Sequence, residues 1–261
     1  MKANIYSIDG NVVGEMDLPK VFETPYRPDV IKRTVLSIQT YRYQPYGSDP
    51  LAGKRTSAHY HGSRHYRWTM MNREMSRMPR IHGKVGYLGW TARFAPHAVK
   101  GRRAHPPKVE KVIIERVNKK EKKLALKSAI SSTANPELVS KRGHKFKGNL
   151  PIIMDDEFEN IKKSKDVFNV LKKIGLENEL SRAEKKKVRA GRGKMRNRTY
   201  KKRKGPLIVV SKKCPLINAA KNIPGIDVID VRNLNVEMLA PGTHAGRLTI
   251  YTKSSIEKLG E

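Results

Sequence analysis

Four short apolar runs, at residues 151–154, 207–210, 226–231 and 248–251, punctuate the second half of the chain. Each is too short for a helix and almost continuously apolar, the pattern of a strand buried on both faces. Apolar residues at helical spacing separate them. They predict helices over residues 164–174, about 177–190, 216–222, 236–239 and 254–259. Near the N-terminus, residues 3–8 and 12–16 flank Asp9-Gly10-Asn11, which reads as two short strands joined by an Asp-Gly turn. Pro28-Asp29 opens a helix that sets Val30, Ile31, Thr34, Val35 and Ile38 on one face. Asn118 with Glu121 three residues on is a capping-box variant, and starts a helix reaching about Thr133. Buried strands alternating with helices predict an α/β fold: a three-layer, open, mostly parallel sheet with helices on both faces. No internal repeat is visible.

Charge changes this picture. The 261 residues carry 55 Lys+Arg against 24 Asp+Glu, a net charge of +31. Only 38% are apolar, below the roughly 45–50% of ordinary globular chains. Nucleic acid is the default partner of such a polycation, with an anionic membrane second. One cysteine, Cys214, excludes an intramolecular disulfide framework and a Cys-rich zinc site. There is no run of 18 apolar residues and no segment that reads as a signal peptide.

The charge is concentrated. Residues 42–107 hold 13 Lys+Arg and two acids, and residues 182–204 hold 13 Lys+Arg and one. Together they carry +23 of the +31. The expected organisation is an α/β body over residues 1–41 and 108–261, a long extended basic loop over 42–107, and a basic RNA-docking segment at 182–204 within the body.

Segment 42–107 has seven glycines, poor apolar periodicity, and eight of the chain's 17 aromatic residues. A connection of that length inside a compact domain points to a functional loop. Arg and Lys neutralise phosphates, while aromatic faces stack on splayed bases. The phosphate candidates are Arg55, Arg64, Arg67, Arg73, Arg77, Arg80, Lys84, Arg93, Lys100, Arg102 and Arg103, with Lys108 just beyond. The stacking candidates are Tyr60, Tyr66, Trp68, Tyr87 and Trp90. Trp68, Met71, Met75 and Met78 fall on one face of an expected short helix. His59, His61 and His65 have no acid or cysteine close by to complete a metal site, so histidine toward phosphate or base is the better reading. Gly83, Gly86 and Gly89 match no nucleotide-binding fingerprint; they read as places where backbone approaches RNA closely.

In the second segment the candidates are Arg189, Arg192, Lys194, Arg196, Arg198, Lys201, Lys202 and Arg203. The segment lies between a helix and a strand, so it is not a free tail, and it reads as a docked loop on RNA. Its phosphate contacts would position rather than specify. The acidic cluster Asp155, Asp156, Glu157 and Glu159 reads as acid at a helix N-terminus rather than as a general acid–base pair or a Mg²⁺ site. No catalytic constellation is visible. An RNA-modifying enzyme on a Rossmann-like body would need a glycine-rich turn after Met154 or Val210, and neither is there. A DNA-compacting protein fits the aromatic, glycine-rich loop less well than irregular RNA does.

Three stretches carry a family resemblance: residues 98–107 (AVKGRRAHPP), 190–198 (AGRGKMRNR) followed by 204–208 (KGPLI), and 239–249 (LAPGTHAGRLT). Arg77-Met-Pro-Arg80 fits more weakly. The chain resembles the universal large-subunit ribosomal protein number four in its archaeal and eukaryotic form, and lacks the long C-terminal extension of eukaryotic members. The resemblance runs in order over essentially the whole chain. It implies a non-enzymatic structural constituent of the large ribosomal subunit, cytoplasmic, that binds large-subunit ribosomal RNA and has a role in assembly and translation. It further implies a loop whose distal part lines the polypeptide exit tunnel. Carried over, Lys100, Arg102, Arg103 and His105 bind RNA on the return limb, with Arg192, Lys194, Arg196 and Arg198 in the signature segment. The tip, with Arg77, Arg80, His82, Gly83, Lys84 and Gly86, would border the tunnel. The implied partners are ribosomal RNA, other large-subunit proteins and the passing nascent polypeptide, with no membrane, homo-oligomer, metal or cofactor.

Overall fold

The computed structural model describes residues 1–66, 69–71, 73–81 and 86–260. In chain order the elements are β1 (Lys2–Tyr6), β2 (Val12–Asp17), α1 (Pro28–Thr40), α2 (Lys119–Ala134), α3 (Pro136–Lys141), β3 (Ile152–Met154), α4 (Ser164–Lys173) and α5 (Glu177–Glu184). Then follow β4 (Lys187–Val188), β5 (Tyr200–Lys201), β6 (Leu207–Val210), α6 (Leu216–Ala220), β7 (Asp227–Asp230), α7 (Val236–Leu239), β8 (Thr249–Thr252) and α8 (Lys253–Gly260).

Six strands form one sheet in the order β2-β1-β3-β8-β6-β7. Only β2 is antiparallel; the other four pairings are parallel. The strands are apolar throughout because both faces are covered. Along β6, Ile208 and Val210 enter one core with Val167, Leu171, Leu180 and Leu216 of α4, α5 and α6. Leu207 and Val209 enter the other, with Ile31 and Val35 of α1, Ala129 of α2 and Leu239 of α7. β3 divides in the same way, Ile152 and Met154 against Ile153. The period of two therefore survives inside a continuous apolar run. The path β3→β6→β7 moves toward one sheet edge with α4 to α6 on one face. β7→β8 turns back with α7 on the other face, which one crossover hand demands when direction reverses.

Three local expectations are corrected. The helix expected to about residue 190 stops at Glu184. Lys185, Lys186, Lys187 and Arg189 would stack like charges on successive turns, and the chain forms the hairpin β4–β5 instead. Asn118 stands at the N-cap of α2 without a side-chain capping bond. Glu121 reaches Arg33 of α1 at 3.4 Å rather than closing a capping box. The helix expected from Trp68 to Met78 is absent among the described residues, where 69–71 and 73–79 form turns and bends. Only Met70, off the expected stripe, is fully buried there. Without a surface to pack on, a short helix does not hold.

Residues Met1–Arg42 with Ile114–Glu261 form one compact unit and Tyr43–Ile113 a second. The second is irregular, with backbone bridges joining His59 to Arg80 and Arg80 to Ala92. Its two limbs meet closely: Ser48 N–H donates to the Pro107 carbonyl at 3.2 Å. A Cβ on Gly53 (φ +74°) would lie 2.5 Å from the Arg102 Cα, so only glycine fits that approach. Its core is thin. Among the described residues only Thr69, Met70 and Ile81 are buried.

Candidate nucleic-acid interface

The root of the basic hairpin is built from buried charge. α5 carries Glu179, wholly buried, and its carboxylate accepts from Arg182 Nε and a terminal guanidinium nitrogen (2.8 and 2.6 Å), His144 Nδ1 (2.7 Å) and the Lys145 N–H (3.0 Å). Burial opposes its ionisation, but the donors from Arg182, His144 and Lys145 prevail and hold the carboxyl down at about 2. Burial lowers the His144 pKa, although the nearby Glu179 carboxylate acts to raise it. Arg182 also donates to the Lys204 carbonyl at 2.7 Å, tying the returning strand of the hairpin to α5.

Arg247 anchors the other side. It is completely buried and donates to the carbonyls of Gly205 (2.9 Å), Pro206 (3.4 Å) and Met238 (2.9 Å) and to Asp227 (2.6 Å). Asp227 also receives Lys204 at 2.9 Å. Gly225 (φ +81°) lets the hairpin exit pass close. A Cβ there would meet the Ala183 Cβ at 2.8 Å and the Arg203 carbonyl at 3.1 Å. The third resembling stretch, residues 239–249, thus supplies the buried arginine that fixes where the second one emerges.

The hairpin projects its cations outward. Arg192, Lys194, Arg196, Arg198, Lys201, Lys202 and Arg203 are all exposed. Lys187 lies directly opposite Lys201, a pairing that destabilises a bare hairpin. Arg189 is exposed, but its guanidinium bridges to the Arg198 carbonyl (3.1 Å), so it braces the hairpin from within.

In the second unit, Arg55, Arg64, Arg77, Lys100, Arg103, His105 and Lys108 are exposed, and Arg102 is half-buried. Arg55 pairs with Asp49 at 2.5 Å. Arg80 donates to the Ser76 hydroxyl (2.7 Å) and the Trp90 carbonyl (2.8 Å), and Arg93 donates to the Val99 carbonyl. Arg80 and Arg93 therefore hold the fold of this unit. Arg73 lies 4.7 Å over the Trp90 ring, covering one face of that stacking candidate. Tyr87 (94% exposed) and Tyr66 (74%) are largely exposed, while the Tyr60 ring (48%) lies against Gly62. Gly86 lies in a single helical turn with Leu88. Arg67, Trp68, His82, Gly83 and Lys84 lie outside the described residues. Among the described residues no cluster of His, Cys, Asp and Glu could hold a metal, and no helix is long and apolar enough to cross a membrane.

A groove on the first unit gathers the candidates Lys201, Lys202 and Arg203 with residues outside the candidate set. It measures about 1010 Å³ and is lined by the hairpin stem, Lys141 and Arg142 at the end of α3, His144, Tyr26 and the turn at Pro241–Ala245. Arg142 is pinned to the carbonyls of His244 and Pro241. Burial, with Arg247 and Arg182 nearby, pushes its pKa down to about 10. The run Lys141-Arg142-Gly143-His144 was a visible basic signal.

The carboxyl ends of the parallel strands, where open α/β sheets take nucleotides, are filled by the chain itself. Glu159, buried, accepts from the Ser211 N–H (2.8 Å) and hydroxyl (3.0 Å) and from the Thr252 hydroxyl (2.7 Å). Asp156 accepts from the Ser254 N–H at the start of α8 (2.9 Å). A phosphate there would find those donors occupied. The acidic cluster closes the sheet end.

The chain matches the family described as "Ribosomal protein L4/L1 family" over residues 16–261. It is 54% identical over 263 residues to a protein of Methanocaldococcus jannaschii named large ribosomal subunit protein uL4, covering 100% of this chain and 99% of that one. Proteins of the same name from Archaeoglobus fulgidus and Methanosphaera stadtmanae are 49% and 48% identical over 100% of this chain and 99% and 96% of theirs. The three-layer body and these matches agree: the chain belongs to the ribosomal protein L4/L1 family.

Proposed function

We propose that this protein is a structural constituent of the large ribosomal subunit that binds large-subunit ribosomal RNA through two basic segments, residues 42–107 and 182–204. Family membership supports the coarser part, a non-enzymatic ribosomal protein of the cytoplasmic large subunit with RNA and ribosomal proteins as partners. The observation that carries the finer part is the placement of charge. The 182–204 cations are raised on a hairpin whose root is locked by Glu179, Arg182 and Arg247, and their heads point to solvent. In the other segment, exposed Tyr60, Tyr66 and Tyr87 alternate with exposed Arg and Lys, which suits unstacked RNA. The tip of residues 42–107 lines the exit tunnel beside the nascent polypeptide, and the protein acts without membrane or self-association.

Salt dependence tests the binding mode. If about 10 phosphates are engaged, log K against large-subunit ribosomal RNA falls with log[salt] at a slope of roughly −7 to −9. A slope near −2 would exclude simultaneous binding by both segments.

A further inference from the structure

We propose that the groove between the basic hairpin stem and the 241–245 turn holds an unstacked stretch of RNA, bases on its floor and phosphates on its rim. The proposal rests on the RNA-binding reading and adds a site that neither basic segment forms alone.

Charge is the first ground. Ten of the 17 lining residues are Lys or Arg and none is Asp or Glu. The carboxylates beneath are already engaged, Glu179 by Arg182 and His144 and Asp227 by Lys204 and Arg247. Lys185, Lys186, Lys201 and Lys202 form no ion pair among the described residues. The directly opposed Lys187 and Lys201 repel until an anion lies between them.

The apolar part of the lining is the second ground. Leu138, Pro241 and Ala245 are apolar, and Tyr26 and His244 add exposed rings to the same lining. A site for phosphate alone has no use for such a surface. A duplex keeps its bases stacked inside and offers only backbone to it. A strand with splayed bases uses both parts, and about 1010 Å³ lies at the upper end of ligand-pocket volumes. His144 Nε2 is buried without a hydrogen-bond partner among the described residues, in the lining of the groove.

The test is lysine acetylation footprinting of the full chain by mass spectrometry. The probes are a six-nucleotide oligouridylate, an abasic phosphodiester of equal length, and oligoglutamate. The expected result is protection of Lys185, Lys186 and Lys202 by oligouridylate, at least threefold stronger than by the abasic strand. Tyr26→Ala with His244→Ala should weaken oligouridylate binding by roughly fivefold or more, with abasic binding unchanged. Lys202→Gln, on an exposed stem, is the companion variant should the double variant not fold, and should lower binding of both strands. Equal protection by the abasic strand would overturn base binding, and equal protection by oligoglutamate would overturn RNA as the occupant. Protection confined to Lys54, Lys100 and Lys108 would overturn the groove while leaving the RNA reading intact. Protection nowhere would defeat both.

Discussion

Arg247 and Glu179 are buried charges that decide local geometry. Each has its donors or acceptors nearly saturated, the condition under which an interior ion is tolerated. Replacing Arg247 with Met leaves Asp227 with Lys204 alone and removes the side-chain donor to the Gly205 and Met238 carbonyls. Urea denaturation should show a loss of about 3–5 kcal/mol, whereas a surface change such as Lys194→Met should fall within about 0.5 kcal/mol. Glu179 has a folded pKa near 2, below the ordinary 4.5. A depressed carboxyl contributes its stability above the unfolded value and loses it as pH falls through the folded one. The unfolding free energy should therefore decline between pH 4.5 and 2, by on the order of 2–3 kcal/mol, and Glu179→Gln should flatten that decline. An unchanged acid limb in the variant would remove Glu179 from this role. These roles were invisible in sequence. Arg247 reads as one more cation in a polycationic chain, and only the fold shows that it faces inward.

At the scale of elements, the sheet was legible because its strands are short apolar runs bounded by turn residues. Residues 207–210 were placed to the residue, and helix 236–239 likewise. What failed had local signal without tertiary support. The methionine stripe after Trp68 has helical spacing but only half-buried side chains at Met71, Met75 and Met78. The hairpin β4–β5 escaped because two-residue strands made of Lys, Val and Tyr carry almost no periodicity. Helix α3 was passed over although its start is explicit. Asn135 accepts from the Glu137 N–H at 2.9 Å and Pro136 occupies the first turn. Asn135→Ala should cost about 1 kcal/mol in thermal or urea unfolding. Because α3 ends at Lys141, beside Arg142, the same change should weaken RNA binding slightly. A neutral effect on stability would mean the cap is not what holds this helix.

At the scale of the whole molecule, the clustering of charge in residues 42–107 and 182–204 is visible in the sequence. The groove is not, because its residues come from five stretches far apart in sequence. The two compact units differ in burial. The first unit has two full cores, one on each face of the sheet. The second has Thr69, Met70 and Ile81, too little apolar burial to offset the chain entropy of some 70 residues. Its ordered state is expected to depend on RNA.

The central claim is that both basic segments lie on large-subunit ribosomal RNA. Crosslinking this protein to RNA in cell extract, then sequencing the RNA and identifying the crosslinked peptides, tests it most directly. The account predicts crosslinks from residues 60–90 and 192–203 to large-subunit ribosomal RNA. Crosslinks concentrated on another RNA, or arising from only one of the two segments, would contradict it.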